Sequence, residues 1–177
     1  MGLTEITNAV LEFVRQHPNW AAFIVFGLAF GESLAFVSLI LPFWAMLVGI
    51  GTIIGAADPL IFWTIVGAAA IGAALGDWLS YWIGYHYHEQ VQGMWPLSRY
   101  PKLLDNGHKF FRRWGFWAIV IGRFSGPLRA SVPIVAGITE MPWFLFQIAN
   151  WGSAFLWSFV LLSPGTWGVK WWLGHFS

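Results

Sequence analysis

The sequence predicts an all-α polytopic membrane protein. Three observations predict it: the composition, the length of the uncharged runs, and the charged residues set into apolar surroundings in each half. Of 177 residues, 58% are apolar and 10% charged, with nine Lys/Arg against eight Asp/Glu and a mean hydropathy of +0.63. A soluble chain of this size carries roughly 25% charge, so a cytosolic enzyme, a secreted module and a disordered tail are disfavoured. The formal net charge of +1 disfavours a nucleic-acid partner. With no cysteine there is no disulfide, thiolate nucleophile or thiolate metal site. Acid–base or metal chemistry falls to the five histidines and eight carboxylates.

Residues 1–18 are expected to form a helix lying on the membrane surface. Leu3, Ile6, Val10, Phe13 and Val14 recur at helical spacing, Glu5, Asn8, Glu12, Arg15 and Gln16 fall elsewhere, and Pro18 ends the run. Glu5, Glu12 and Arg15 do not suit a cleavable signal peptide, so this segment is expected to stay. From Trp20 to Gly76 the only charged side chains are Glu32 and Asp58. That is too long for one crossing, which takes about 20 residues. Asp58-Pro59 offers a turn before a transmembrane helix over 60–85. The stretch 20–57 is broken by Pro42, with Glu32 on one limb and Gly49, Gly51 and Gly55 on the other. It accommodates either two short crossings or one re-entrant hairpin.

Residues 86–113 hold Arg99, Lys102, Lys109, Arg112 and Arg113, five of the nine basic residues, against Glu89 and Asp105. The positive-inside rule places this loop in the cytoplasm, and Leu103 to Trp114 suits a helix at the headgroups. Residues 116–139 are apolar again but carry Arg123 and Arg129 among Gly122, Gly126, Pro127, Pro133 and Gly137, so a plain lipid-facing helix is excluded. After Met141-Pro142, a 27-residue run without Lys, Arg, Asp, Glu or His extends from Trp143 to Val169. It predicts a crossing over 143–162, then a Trp-rich C-terminal helix over 164–176 beyond Pro164-Gly165.

The two halves echo each other. Placing Pro42 over Pro133 sets Gly31-Glu32 over Gly122-Arg123 and Ala45 over Ala136, with Tyr81 to Gly84 over Trp171 to Gly174 after one residue of slippage. If each half is a broken hairpin followed by a crossing, the halves enter from opposite faces and the broken segments meet near the midplane. That is the inverted-repeat layout of many secondary transporters.

The strongest chemical signal is Arg123-Phe124-Ser125-Gly126-Pro127-Leu128-Arg129. A guanidinium at membrane depth costs at least about 2.5 to 3.5 kcal/mol, and two of them need a reason. One reason is an anionic phosphate headgroup, bound by the planar cations of Arg123 and Arg129, with backbone N–H groups freed near Ser125 and Gly126. The other is a pair of fold staples, with the arginines matched to Glu32 and Asp77. Glu32, between Gly31 and Ser33, is a candidate proton carrier or arginine partner. Asp77, one turn before Tyr81, is a second proton site or an arginine orienter. His86, His88 and Glu89 invite a metal reading, but His86 and His88 at i and i+2 do not share a helix face and no HExxH pattern occurs, so no metal, cofactor or catalytic residue is expected. The 14 tryptophans suit interfacial belts.

These residues resemble the DedA family of polytopic membrane proteins. The matching pieces are Phe30-Gly-Glu32, Gly76-Asp77 with Tyr81 and Gly84, Phe111 with Gly115, and Asn150, Gly152 and Trp157. The most specific is Arg123-Phe124-x-x-Pro127-x-Arg129-x-x-x-Pro133-x-x-Ala136-Gly137. The resemblance spans about residues 20 to 175. It implies a multi-pass bacterial inner-membrane protein with two re-entrant hairpins, over 20–57 and 116–139. Its implied activity is to recycle undecaprenyl phosphate to the cytoplasmic leaflet, with proton coupling at Glu32 and phosphate contacts at Arg123 and Arg129. Two positions depart from the family's pattern: Trp44 stands where many members have an acid, and Tyr85 follows Gly84 where an arginine is frequent. Any proton route therefore rests on Glu32, alone or with Asp77.

The expected function is that of a transporter for a polyprenyl phosphate, with the bilayer, the lipid and protons as partners. The alternatives are a general phospholipid scramblase, an intramembrane lipid phosphatase and a non-transporting scaffold. A phosphatase of the PAP2 type would have to use Ser98-Arg99 with His108, at too long a spacing and with Arg112 where an acid belongs.

Overall fold

A computed structural model describes residues 3–34, 46–51, 59–87, 102–125, 129 and 131–163, and every regular element among these is helical. The first, α1 (Leu3–Gln16), is amphipathic as its spacing predicts. Val14 is buried in the core, while Glu12, Arg15 and Gln16 are exposed. Glu12 accepts a hydrogen bond from Gln16 at 3.0 Å and pairs with Arg15 at 3.6 Å. A 3-10 turn at Pro18–Trp20 leads into α2 (Ala21–Ser33). Residues 46–51 are also helical, with Leu47 and Ile50 fully buried and Gly49 against Leu11 of α1.

Two long helices form the frame. α3 (Pro59–His86) has 28 residues and α7 (Trp143–Ser163) has 21, about 42 and 32 Å at 1.5 Å per residue. Each exceeds the roughly 30 Å of a bilayer's hydrocarbon core. Both are apolar outside and partly polar inside. Leu60, Trp63, Trp78 and Trp82 of α3 and Phe144, Trp151, Phe155 and Val160 of α7 are exposed, while Asp77, Ser80, Asn150, Ser153 and Ser158 are buried. Lipid solvates such outer faces and water does not. The helices run antiparallel: Phe62 packs edge-on against Phe159, Trp63 stacks on Phe155, and Tyr81 stacks on Phe146 with ring centres 4.1 Å apart.

Small residues at four-residue spacing, Gly72, Gly76, Ser80 and Gly84, line one side of α3 and let neighbouring backbones approach. A Cβ on Gly72 would strike the Phe26 carbonyl oxygen of α2, and one on Gly76 would lie 2.6 Å from the Phe30 oxygen. The constant register shows that α2 runs parallel to α3. Pro59 therefore lies at the end of the bundle from which α2 starts. With 13 residues, about 20 Å, α2 stops inside the span of α3.

The headgroup helix expected at Leu103 to Trp114 is α4 (Lys102–Trp114), with Phe111 buried and Lys109, Arg112 and Arg113 exposed. Gly115, at φ +49°, turns the chain into α5 (Phe116–Arg123). The segment 116–139 is two separate helices, α5 and α6 (Ser131–Ile138). Each has eight residues, about 12 Å, well short of a crossing. They meet where Gly122 faces Val132. Gly84 of α3 and Gly137 of α6 face each other's backbones, so α6 rides on the second half of α3. After α6, Glu140 takes φ +53° as the Glu140 and Met141 N–H groups cap the Gly137 and Ala136 carbonyls, both at 3.0 Å. Tyr81 donates to the Met141 carbonyl at 2.6 Å and ties this corner to α3.

The expected crossings at 60–85 and 143–162 thus appear as α3 and α7. The expected helix at 164–176, and Pro42, Trp44, Asp58, His88 and Glu89, lie outside the described residues. Apolar cores occupy both ends of the bundle. One joins α1, α2, residues 46–51 and the outer halves of α3 and α7, and the other gathers Tyr81, Phe111, Ile119, Met141 and Phe146. Between them lies a polar layer.

Candidate functional site

The polar layer is built from chain ends and helix middles. Glu32 and Ser33 occupy the last turn of α2, and Arg123 is the last residue of α5. Arg129 lies between α5 and α6. Asp77 and Ser80 come from α3, and Asn150, Ser153 and Trp157 from α7. Asp77 is nine residues from the end of α3 and Asn150 seven from the start of α7, depths of about 14 and 10 Å. In a spanning bundle this is hydrocarbon depth, where an unpaired charge is costly.

Every charge in the layer has a partner. Arg129 Nη1 donates to Glu32 Oε1 at 2.7 Å, and its Nη2 donates to Ser33 Oγ at 3.3 Å. Ser80 Oγ donates to the Ser33 carbonyl at 3.3 Å, fastening the end of α2 to α3. The Arg129 guanidinium also lies over the Trp157 ring, 4.2 Å from its centre. Glu32 sits at the negative end of the α2 dipole, so the cation offsets both burial and dipole. In the second pair, Arg123 Nη2 donates to Asp77 Oδ2. The same nitrogen donates to Asn150 Oδ1 at 2.5 Å, and Asn150 Nδ2 donates to the Ala74 carbonyl at 2.9 Å. Asn150 therefore bridges α5 and α3 from α7. Side-chain exposure is 3% for Arg123 and 11% for Arg129, so the first is sealed and the second is within reach of a cleft.

That cleft is small and lined by Asp77, Ile119, Arg123, Arg129, Val132 and Pro133. Arg123 Nε and Nη1 and Glu32 Oε2 are buried without a hydrogen-bond partner. Buried donors of a charged group left unpaired cost about 1 to 3 kcal/mol or more. An acceptor entering the cleft would satisfy the two Arg123 donors, whereas Glu32 Oε2 is itself an acceptor and calls for a proton or a donor. Among the described residues no cluster of His, Asp and Glu is suited to a metal ion.

The residues singled out in the sequence separate here. Glu32, Asp77, Arg123 and Arg129 converge. Ser125 is exposed and donates back to the Ile121 carbonyl at 2.9 Å, closing the end of α5, and Gly126 lies outside the described residues. The repeat matches Glu32 to Arg123, but the observed partners are Glu32 with Arg129 and Asp77 with Arg123. The roles of Ser33, Asn150 and Trp157 were not foreseen. An asparagine inside a long uncharged run was the available signal, since a polar group at that depth needs a partner.

The VTT domain family model matches residues 17–166, a range that holds the whole polar layer. The chain belongs to this family, the DedA family. Among its relatives, inner membrane protein YabI of Escherichia coli (strain K12) is 35% identical over 159 residues, covering 89% of this chain and 62% of YabI. Inner membrane protein YghB of Salmonella typhimurium is 33% identical over 147 residues, covering 81% and 65%. YqjA of Escherichia coli (strain K12), also named an inner membrane protein, is 30% identical over 148 residues, with the same coverage of 81% and 65%. The chain spans less than two thirds of the length of these relatives. No solved structure matches it. By its family this VTT domain is a membrane protein, two helices among the described residues are long and apolar enough to cross a bilayer, and the inner-membrane location expected from sequence agrees with the names of its relatives.

Proposed function

We propose that this VTT domain moves a polyprenyl phosphate, undecaprenyl phosphate or a close analogue, between the leaflets of the bacterial inner membrane without breaking a bond in it. The observation that carries the reading is Arg123. It is a nearly sealed cation at hydrocarbon depth whose Nε and Nη1 donors lack acceptors and which lines the same cleft as Arg129. A phosphate headgroup supplies the missing acceptors, while a polyprenyl tail is solvated by lipid and needs no enclosed pocket.

In this reading α2 and the chain returning to Pro59 form one re-entrant hairpin, and α5 with α6 forms the other. Support comes from the short lengths of α2, α5 and α6, and from the parallel course of α2 and α3. The two Gly-charge pairs end α2 and α5, as an inverted repeat requires. Glu32 serves as the coupling group. An arriving phosphate competes for Arg129, and the carboxylate it displaces takes up a proton, with Asp77 as a second acid in the layer.

The test is a proteoliposome assay with a short-chain polyprenyl phosphate added to one leaflet. Redistribution with the phosphate retained is the expected result, with Arg129→Ala inactive and Arg129→Lys a poor rescue because the planar fork is lost. Release of inorganic phosphate refutes the reading in favour of a phosphatase. Equal movement of phosphatidylethanolamine points to a general scramblase, and no movement to a scaffold.

A further inference from the structure

Resting on that reading, we propose that Trp157 is a positioning residue that keeps Arg129 at the site while its hydrogen bonds pass from Glu32 to the phosphate. Arg129 has two kinds of partner. Glu32 Oε1 and Ser33 Oγ take N–H donors in the plane of the guanidinium, and Trp157 takes its face, 4.2 Å from ring centre to cation. A ring contact uses none of the five N–H groups. It therefore persists when those groups change acceptor, whereas a second carboxylate in its place would compete with the incoming anion.

The surroundings make this role specific to Trp157. The residue is 6% exposed and belongs to the apolar core that includes Ala29, Ala73 and Ala154, so the ring itself has little freedom to follow a moving partner. Asn150, seven residues earlier on the same helix, holds Arg123 by a directional 2.5 Å bond. One helix thus secures both cations, Arg123 through its donors and Arg129 through its face. The first engages Arg123 Nη2, whereas the ring contact occupies none of the donors of Arg129.

The experiment measures binding of a short-chain polyprenyl phosphate, and of the matching polyprenol without phosphate, to the full chain in nanodiscs. Trp157→Phe and Trp157→Leu are compared with the unsubstituted protein. Trp157→Leu should weaken the phosphate probe about threefold to thirtyfold, the span from an exposed to a desolvated cation–ring contact. It should leave the polyprenol unchanged, and Trp157→Phe should stay within about threefold of the starting affinity. If Trp157→Leu does not fold, Trp157→Met, which also lacks the ring, takes its place. Equal weakening of both probes, no weakening, or a Phe variant as poor as the Leu variant overturns the role of Trp157 alone. An unsubstituted protein that does not prefer the phosphate probe overturns the lipid-phosphate reading and this proposal with it.

Discussion

Arg123 invites a perturbation that separates holding the fold from handling a ligand. Arg123→Met removes the cation and keeps most of the side-chain volume. It strips Asp77 of its ion-pair partner, in a pair whose side chains are 3% and 8% exposed, and leaves Asn150 Oδ1 without its donor. Breaking a buried pair from one side costs about 3 to 5 kcal/mol, and the orphaned amide oxygen adds about 1 to 3 kcal/mol. Asp77→Asn strands the guanidinium and should fall in the 3 to 5 kcal/mol range, about that of any buried pair broken from one side. The double variant carries no buried charge at either position, and neutral replacements of buried pairs are often tolerated. It should recover most of the loss, with a coupling of at least about 2 kcal/mol. Denaturant titration of purified protein in micelles, followed by tryptophan fluorescence, measures all four species. Singles within about 1 kcal/mol of the unsubstituted protein, or additive losses, refute the buried-pair reasoning. Lipid transport then supplies the second axis: the double variant should be folded and inactive, and a folded, fully active double variant reduces Arg123 to a staple.

Gly84→Ala should destabilise by about 1 to 3 kcal/mol, because its Cβ meets the Ile134 carbonyl and lies 3.2 Å from the Ile138 nitrogen; Gly67→Ala, with nothing within 4 Å, is the control in the same titration. Glu32→Gln keeps an acceptor for Arg129 without the charge, so lipid-phosphate binding should persist while the pH dependence of transport flattens. An unchanged pH profile in the liposome assay removes Glu32 from coupling. Lys109→Cys, at an exposed position of α4, should resist impermeant thiol reagents on intact cells and react after permeabilisation; ready labelling from outside reverses the orientation.

The long elements were legible because lipid imposes its own punctuation. Uncharged runs bounded by Asp58-Pro59 and Met141-Pro142 place two crossings that the observed helices extend by one residue at each end of α3 and one at the end of α7. The charged residues of the layer were legible because a charge in an apolar run has few reasons to be there. Their pairing was not. The repeat aligns Glu32 with Arg123, and equivalence under a repeat says which positions correspond, not which ones touch. Asn150 and Trp157 were equally hard to assign from sequence. Both match the family's pattern with no role attached, and their roles depend on Arg123 and Arg129 arriving from a distant segment. At Ser125 the hydroxyl of a helix end finds its nearest acceptor in its own backbone, the Ile121 carbonyl.

The distribution of partners between continuous and interrupted elements says where the layer can give way. Asp77 and Asn150 belong to α3 and α7, which pass through the layer unbroken, and together they hold Arg123. Glu32 and Arg129 both belong to elements that stop there, α2 and the turn between α5 and α6. The glycine contacts sharpen the contrast. Gly72 and Gly76 lock α2 to α3 before Asp77, and Gly84 locks α6 to α3 beyond it, so both interrupted elements are referenced to the same helix on opposite sides of the charge. None of Asp77, Arg123 and Asn150 belongs to α2, so a displacement of α2 would separate Glu32 from Arg129 without breaking the contacts among those three. In the proposed transport the protein would make and break its hold on a headgroup without dissolving its own frame. Under that proposal the pair that would open is the one whose two members both lie at element ends and whose arginine rests on a ring contact that uses no donors.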